Sequence, residues 1–309
     1  MIANSIEKAY YLVTVFTSQK HGGNQLAVFV DLEDKVSTKN MLSIAKDLNF
    51  PEITFVKKNH DNKQFEVRIF TPEYEVPFAG HPSLGTAFII SKYIVSSPPK
   101  KIVLNLKHSN ICIDITSISD IDNSIFTMEQ AEPEFITTYS PQEIADGLSI
   151  STEVLDQEQP IEEISTGLPY MIIPIINLES INQLQLDARK VLEFLVKKKK
   201  YKTNSTSGLT TALFFVTKET FEKANSFNTR MFCIENGNLV EDAATGSANG
   251  CFLAYLLKNK SPQISATVEQ GFQMGRKSYI QLKGQLKNNT YSIKIGGQVV
   301  DLGMGKWHR

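Results

Sequence analysis

Three titratable side chains stand where an acid or a base could work: Glu52 at the head of an apolar run, His81 directly after Gly80, and Asp242 shortly before Gly246. Carboxylates and imidazoles are the usual groups for moving protons to and from a reacting carbon. Glu52 follows Pro51, whose fixed φ and missing N–H suit the entry to a strand. A Glu there is either a solvated strand end or a positioned acid/base. His81 could equally cap a helix and Asp242 could equally form a turn. The hydroxyls of Thr245 and Ser247 lie beside them.

Gly80 and Gly246 each open an apolar segment of helical length. The unpaired N–H groups of a helix start favour an anion by roughly 0.3 to 1 kcal/mol, and up to about 2 when partly buried. Two such ends are candidate grips for a carboxylate; the alternative is that the glycines only permit tight turns. No His-Glu-x-x-His, P-loop or strand-borne Gly-x-Gly-x-x-Gly is present, so neither a metal nor a cofactor is expected. Ser247 has no glycine two residues before it, as a serine-hydrolase elbow requires. The three cysteines, Cys112, Cys233 and Cys251, show no paired spacing. They argue against a disulfide framework and a zinc site, and fit a reducing cytoplasm.

Strands and apolar helices are the elements that position these groups. Segments 9–16, 26–30, 53–57 and 64–70 are rich in Val, Ile, Phe and Tyr, and in the last Phe65, Val67 and Ile69 alternate with polar residues. A helix over 38–48, capped by Ser37, places Met41, Ile44, Ala45 and Leu48 on one face. The segment 81–94 has Pro82 in its first turn and is apolar around most of its circumference, so it must be buried on nearly every side.

The second half repeats the order, with strands near 170–176, a helix near 187–199, strands at 211–218 and 227–234, and an apolar helix over 248–258. Alignment of Arg68-Ile-Phe70 with Arg230-Met-Phe232 puts the helix-opening glycine 12 residues later in the first half, at Gly80, and 16 later in the second, at Gly246, one plan with loop insertions. The expectation is an α+β protein of two similar lobes, each a curved, mostly antiparallel sheet around a central apolar helix. The lobes are drawn at 1–130 and 131–309, with closing strands near 278–282, 290–295 and 299–302, some of which return to the first lobe.

The chain has 309 residues, about twice a usual single domain, which suits two lobes. With 32 basic and 33 acidic residues the net charge is -1, so no field draws nucleic acid or an acidic membrane. The four lysines at 197–200 are read as a solvated helix end. The apolar run at 10–16 is too short for a signal peptide or a membrane span.

Several of these segments carry a resemblance. Gly23-Asn-Gln-Leu-Ala-Val-Phe29, Pro51-Glu-Ile-Thr-Phe-Val56, Arg68-Ile-Phe-Thr-Pro72 and Pro77-Phe-Ala-Gly-His-Pro82 resemble the N-terminal half of the PhzF family. Val240-Glu-Asp-Ala-Ala-Thr-Gly-Ser-Ala248, Glu269-Gln-Gly and Met274-Gly-Arg276 resemble its C-terminal half, in the family's order across nearly the whole chain. The resemblance implies a diaminopimelate-epimerase-like fold with the active site in a cleft between the lobes. It further implies a cofactor-independent isomerase acting on a small carboxylated metabolite, which in the family's named phenazine-biosynthesis reaction is a dihydro-hydroxyanthranilate. Glu52 would be the acid/base, assisted by His81 and Asp242. Gly80, Gly246 and Ser247 would hold substrate, largely through backbone N–H groups, and Asn24 would line the cleft. A homodimer is the implied assembly.

Amino-acid racemases of the wider superfamily carry a cysteine before each helix-opening glycine; those positions are Ala79 and Thr245 here, so two-thiol racemisation lacks its groups. The rival from another class is a metabolite-binding or scaffold protein that keeps the cleft without turnover. Three departures from the family pattern, Gln25, Pro51 and Ala243, bear on substrate choice rather than on fold.

Overall fold

A computed structural model of the chain describes residues 7–107, 109–235 and 237–308. The chain divides into two compact units, one running up to Glu129 and resuming at Gly296, the other spanning Gln130–Ile295.

The first unit opens with β1 (Lys8–Val15), β2 (Asn24–Val30), α1 (Thr38–Leu48) and β3 (Glu52–Asn59). Then follow β4 (Gln64–Phe70), β5 (Glu75–Val76), α2 (Gly80–Ile89), β6 (Lys101–Asn105), β7 (Asn110–Ile115) and β8 (Phe126–Glu129). The closing strand Val299–Trp307 pairs antiparallel with β1, with Lys8 opposite Trp307. Two pairings are parallel, β2 with β3 and β4 with β6; α1 makes the first crossover and α2 the second. Every other ladder recorded in this unit is antiparallel.

The local signals act as expected. Ser37 accepts from Asn40 N to start α1, and Asn49 ends it in the left-handed region at φ 51°. All ten residues of α2 are buried, against β1, β2, β3, β6, β7, β8 and the closing strand. The sequence reading of a single helix to residue 94 needs one change: the α-helix ends at Ile89 and a π turn, Ile90–Ile94, completes it.

The second unit contains β9 (Glu134–Tyr139), α3 (Pro141–Leu148), β10 (Ile161–Ser165), β11 (Pro169–Pro174), α4 (Leu178–Gln183), α5 (Ala188–Lys197) and β12 (Ala212–Thr217). It continues with β13 (Phe227–Glu235), β14 (Asn238–Asp242), α6 (Gly246–Asn259), β15 (Gln263–Gln270), β16 (Ser278–Lys287) and β17 (Thr290–Gly297). Again two pairings are parallel, β11 with β12 and β13 with β15. The first twelve residues of α6 are buried, and the helix packs on β10, β11, β15 and β16.

The internal repeat extends to side chains. Phe70 stands opposite Glu75, and Arg68 meets the Glu75 carboxylate with two bonds of 2.7 Å while lying over the Phe70 ring. In the second unit Phe232 stands opposite Glu241, and Arg230 meets Glu241 with bonds of 2.8 and 2.9 Å while lying over Phe232. A bidentate fork held in the same register in both units makes each a version of one plan.

One expectation is corrected. The lysines at 197–200 are not only a solvated helix end, because Lys200 Nζ lies 2.6 Å from the Glu163 carboxylate, which is 2% exposed. That carboxylate also accepts from Tyr139 and Thr211, each at 2.8 Å. A carboxylate taken out of water needs a cation and donors, and Lys200 supplies the charge.

Candidate active site

Glu52 is the first residue of β3, in register with Leu26 of the parallel neighbour β2. Glu52 and Thr54 share a face of the strand. The Thr54 and Thr86 hydroxyls lie 2.8 Å apart, and Thr86 donates to the Pro82 carbonyl at 2.7 Å, which leaves Thr54 as the donor to Thr86. This buried bond ties β3 to α2 and brings Glu52 to the start of that helix, where His81 is the second residue. His81 Nε2 lies 3.6 Å from Glu52 Oε2, with side-chain exposures of 7% and 22%.

The His81 ring also donates to the backbone carbonyl of Gln25. Because Nε2 is buried without a hydrogen-bond partner, the donor is Nδ1, and the lone pair of Nε2 faces the Glu52 carboxyl. Burial lowers the His81 pKa to about 3, and the bond to Gln25 opposes this without offsetting it. The pair is therefore a neutral imidazole beside a carboxyl group and not an ion pair. At 3.6 Å it is also longer than a hydrogen bond.

Asn24, 3% exposed, opens β2 opposite Val15. Gly23 before it has φ +63°, and a Cβ there would fall 2.3 Å from the Val15 carbonyl oxygen, so only glycine fits. Gly80 is the first residue of α2, whose N-cap Ala79 makes no side-chain bond to the open N–H groups.

In the second unit Asp242 ends β14, three residues before Thr245, the N-cap of α6. The Thr245 hydroxyl donates to Asp242 Oδ2. Thr245 forms no side-chain cap, so the N–H groups of Gly246 and Ser247 at the start of α6 are not closed from that side. Neither Gly80 nor Gly246 has a positive φ, so a left-handed turn does not explain either glycine.

Residues without an assigned role in the sequence reading surround the start of α6. The hydroxyls of Tyr170 and Ser247 lie 2.7 Å apart, and burial pushes the Tyr170 phenol well above its usual range, so it stays protonated. Gln270, fully buried, binds both Asp242 and Thr245 through its side chain. Gln130 donates to the Gly246 carbonyl at 3.1 Å and accepts from Thr166 at 2.7 Å. Tyr170 could have been noticed as the one side chain with a polar group in the apolar strand Pro-Tyr-Met-Ile-Ile-Pro, since a buried phenol needs a partner. Gln130 carries no local signal.

Glu52, His81, Gly80 and Asn24 thus fall in the first unit, and Asp242, Gly246 and Ser247 in the second. Cys112 and Cys233 lie in strands, and Cys251 is buried in α6 with its thiol pushed up to about 12. Among the described residues no group of three or more His, Cys, Asp or Glu could hold a metal ion, and no helix is long and apolar enough to cross a membrane.

Comparisons with known proteins place the chain in a family. An uncharacterised isomerase of Mesorhizobium japonicum is 29% identical over 306 residues, covering 96% of this chain and 97% of its own. The trans-2,3-dihydro-3-hydroxyanthranilate isomerase of Pseudomonas fluorescens is 28% identical over 301 residues, covering 96% and 98%. Among solved structures, the phenazine biosynthesis protein of the PhzF family from Bacillus anthracis superposes with a TM-score of 0.83 at 21% identity, over 98% and 99% of the two chains. That likeness shows the fold, which is diaminopimelate-epimerase-like. A family model for phenazine biosynthesis-like proteins matches residues 13–305, nearly the whole of both units, and the chain accordingly belongs to the PhzC-PhzF family.

Proposed function

We propose that this protein is an isomerase that moves a proton between two carbons of a small carboxylated substrate without a cofactor, with Glu52 as the acid/base. The observation that carries this reading is the pairing of the Glu52 carboxyl with a buried, neutral imidazole lone pair. Glu52 as carboxylate removes a proton from one carbon, and as carboxylic acid it returns that proton to another. The substrate keeps its atoms and oxidation level. Between the two steps the protonated Glu52 donates to His81 Nε2 after a small closure of the 3.6 Å gap. His81, with a pKa of about 3, acts as an acceptor and not as the acid.

The open N–H groups at Gly80, Gly246 and Ser247 suit the substrate carboxylate, and Asp242 suits a hydroxyl or amino group. Asn24 contributes an amide at the start of β2. Two named relatives are isomerases, one of them acting on trans-2,3-dihydro-3-hydroxyanthranilate, which makes that compound the first substrate to try.

The test is proton exchange with solvent. In deuterium oxide the wild type should wash label into trans-2,3-dihydro-3-hydroxyanthranilate or a related cyclic carboxylate, and Glu52→Gln should slow this by about 10² to 10⁴ while retaining ligand affinity. Equal exchange by both proteins removes Glu52 from the mechanism. Saturable binding with no exchange in either makes the chain a binding protein.

A further inference from the structure

We propose that Gln270 is a positioning residue that acts on Asp242 through Thr245, by fixing the direction in which the Thr245 hydroxyl donates. This rests on the reading of Asp242 as part of the site. The motif Glu269-Gln-Gly carries no role in the proton-transfer scheme, yet Gln270 is fully buried at the end of β15.

Its amide orientation is set by its neighbours. Gln270 Oε1 accepts from Thr245 N and from Asn249 Nδ2, both at 3.1 Å, so that atom must be the oxygen. Asn249 is held in turn by donation to the Thr245 carbonyl at 3.0 Å. Gln270 Nε2 therefore supplies both its protons elsewhere, one to the Asp242 carbonyl and one to Thr245 Oγ1, each at 2.9 Å. A hydroxyl has one proton. With an N–H pointing at its oxygen, Thr245 must direct its own proton away from Gln270, and the acceptor there is Asp242 Oδ2. The relay runs Asn249 and Gln270 to Thr245 to Asp242, and every donor in it is assigned. Gln270 thereby fixes the Asp242 carboxylate through a directed bond, and fixes the turn into α6 through the Asp242 carbonyl and the Thr245 N–H.

The start of α6 differs here from that of α2 in one way that follows from sequence: position 79 is alanine, so no hydroxyl of this kind precedes Gly80.

The test follows the carboxyl carbon of Asp242 by NMR in the ¹³C-labelled full chain through a pH titration. Thr245→Val should raise its midpoint by about 0.5 or more, because the charged form loses a donor. Gln270→Met should raise it comparably, Thr245→Ser should preserve the wild-type midpoint, and the double variant Thr245→Val with Gln270→Met should go no higher than Thr245→Val alone. A midpoint unmoved by Gln270→Met, or shifts that add in the double variant, overturns the relay. Should Gln270→Met not fold, Gln270→Glu tests the same step: its carboxylate would take the Thr245 proton and raise the Asp242 midpoint, and an unmoved midpoint overturns the proposal. No substrate enters the measurement, so the relay can fail while the isomerase reading stands, and the exchange experiment can fail while the relay stands.

Discussion

His81 Nε2 faces Glu52 Oε2 across 3.6 Å while the other ring nitrogen donates to the Gln25 carbonyl. The imidazole thus has one committed nitrogen and one open lone pair. Its burial has a consequence for stability as well as for chemistry.

The His81 pKa falls from 6.5 to about 3 on folding. Between those values the unfolded chain binds a proton that the native ring excludes, so unfolding becomes easier as the pH drops. The contribution is complete above about 6.5 and is lost downwards at up to about 1.4 kcal/mol per pH unit. Urea unfolding from pH 7 to pH 4 should give a flatter dependence for His81→Asn than for the wild type. Parallel curves would mean that the native ring takes up its proton as readily as the unfolded one.

The two arginine forks should differ in weight. Arg230 and Glu241 side chains are 10% and 17% exposed, against 27% and 20% for Arg68 and Glu75. Arg230 also donates to the carbonyls of Ile181 and Leu184, at 3.0 and 2.9 Å. Arg230→Met is expected to cost about 3 to 5 kcal/mol, since it strands a half-buried carboxylate and two carbonyls, and Arg68→Met about 1 to 2. Chemical unfolding of both variants decides the order, and a larger loss for Arg68→Met would contradict it.

Gly23→Ala should be among the most damaging single-methyl changes in the first unit. It combines φ +63° with a Cβ placed 2.3 Å from backbone oxygen, which cannot move aside as a side-chain end could. A loss of about 2 to 4 kcal/mol is expected in thermal or urea unfolding. Because Gly23 sets the entry to Asn24 and Gln25, ligand affinity should fall with it.

Thiol reagents should leave the proton exchange intact. Cys251 is fully buried with its thiol pushed up to about 12, so native protein should resist alkylation there by mass spectrometry. Cys112 and Cys233 are partly exposed and open to alkylation, with no loss of exchange expected. Inhibition traced to any of the three would return thiol chemistry to consideration.

Much of the architecture could be read from contiguous residues. The alternation of Phe65, Val67 and Ile69 gave the strand over 64–70 its true limits, and Ser37 and Asp187 marked helix starts that the structure retains. Shorter or more exposed elements escaped notice. Strands β9 and β14 are largely exposed or half-buried and lack a continuous apolar run. Helix α3 has a full capping box from Ser140 and Glu143, a signal that was present in the sequence.

The sequence alone determined the repeated plan and the two apolar helices behind Gly80 and Gly246, because periodicity, caps and turn residues act over a few neighbouring positions, whereas Glu52, His81 and Asp242 stood out as candidates through the family resemblance. Tertiary structure alone decided that His81 is neutral, that Lys200 answers a buried Glu163, and that Gln270 and Tyr170 reach Thr245 and Ser247. Desolvation and partnership depend on which distant strands come to lie beside a helix, and Tyr170 and Ser247 are 77 positions apart in the chain. No local pattern encodes a bond of that span.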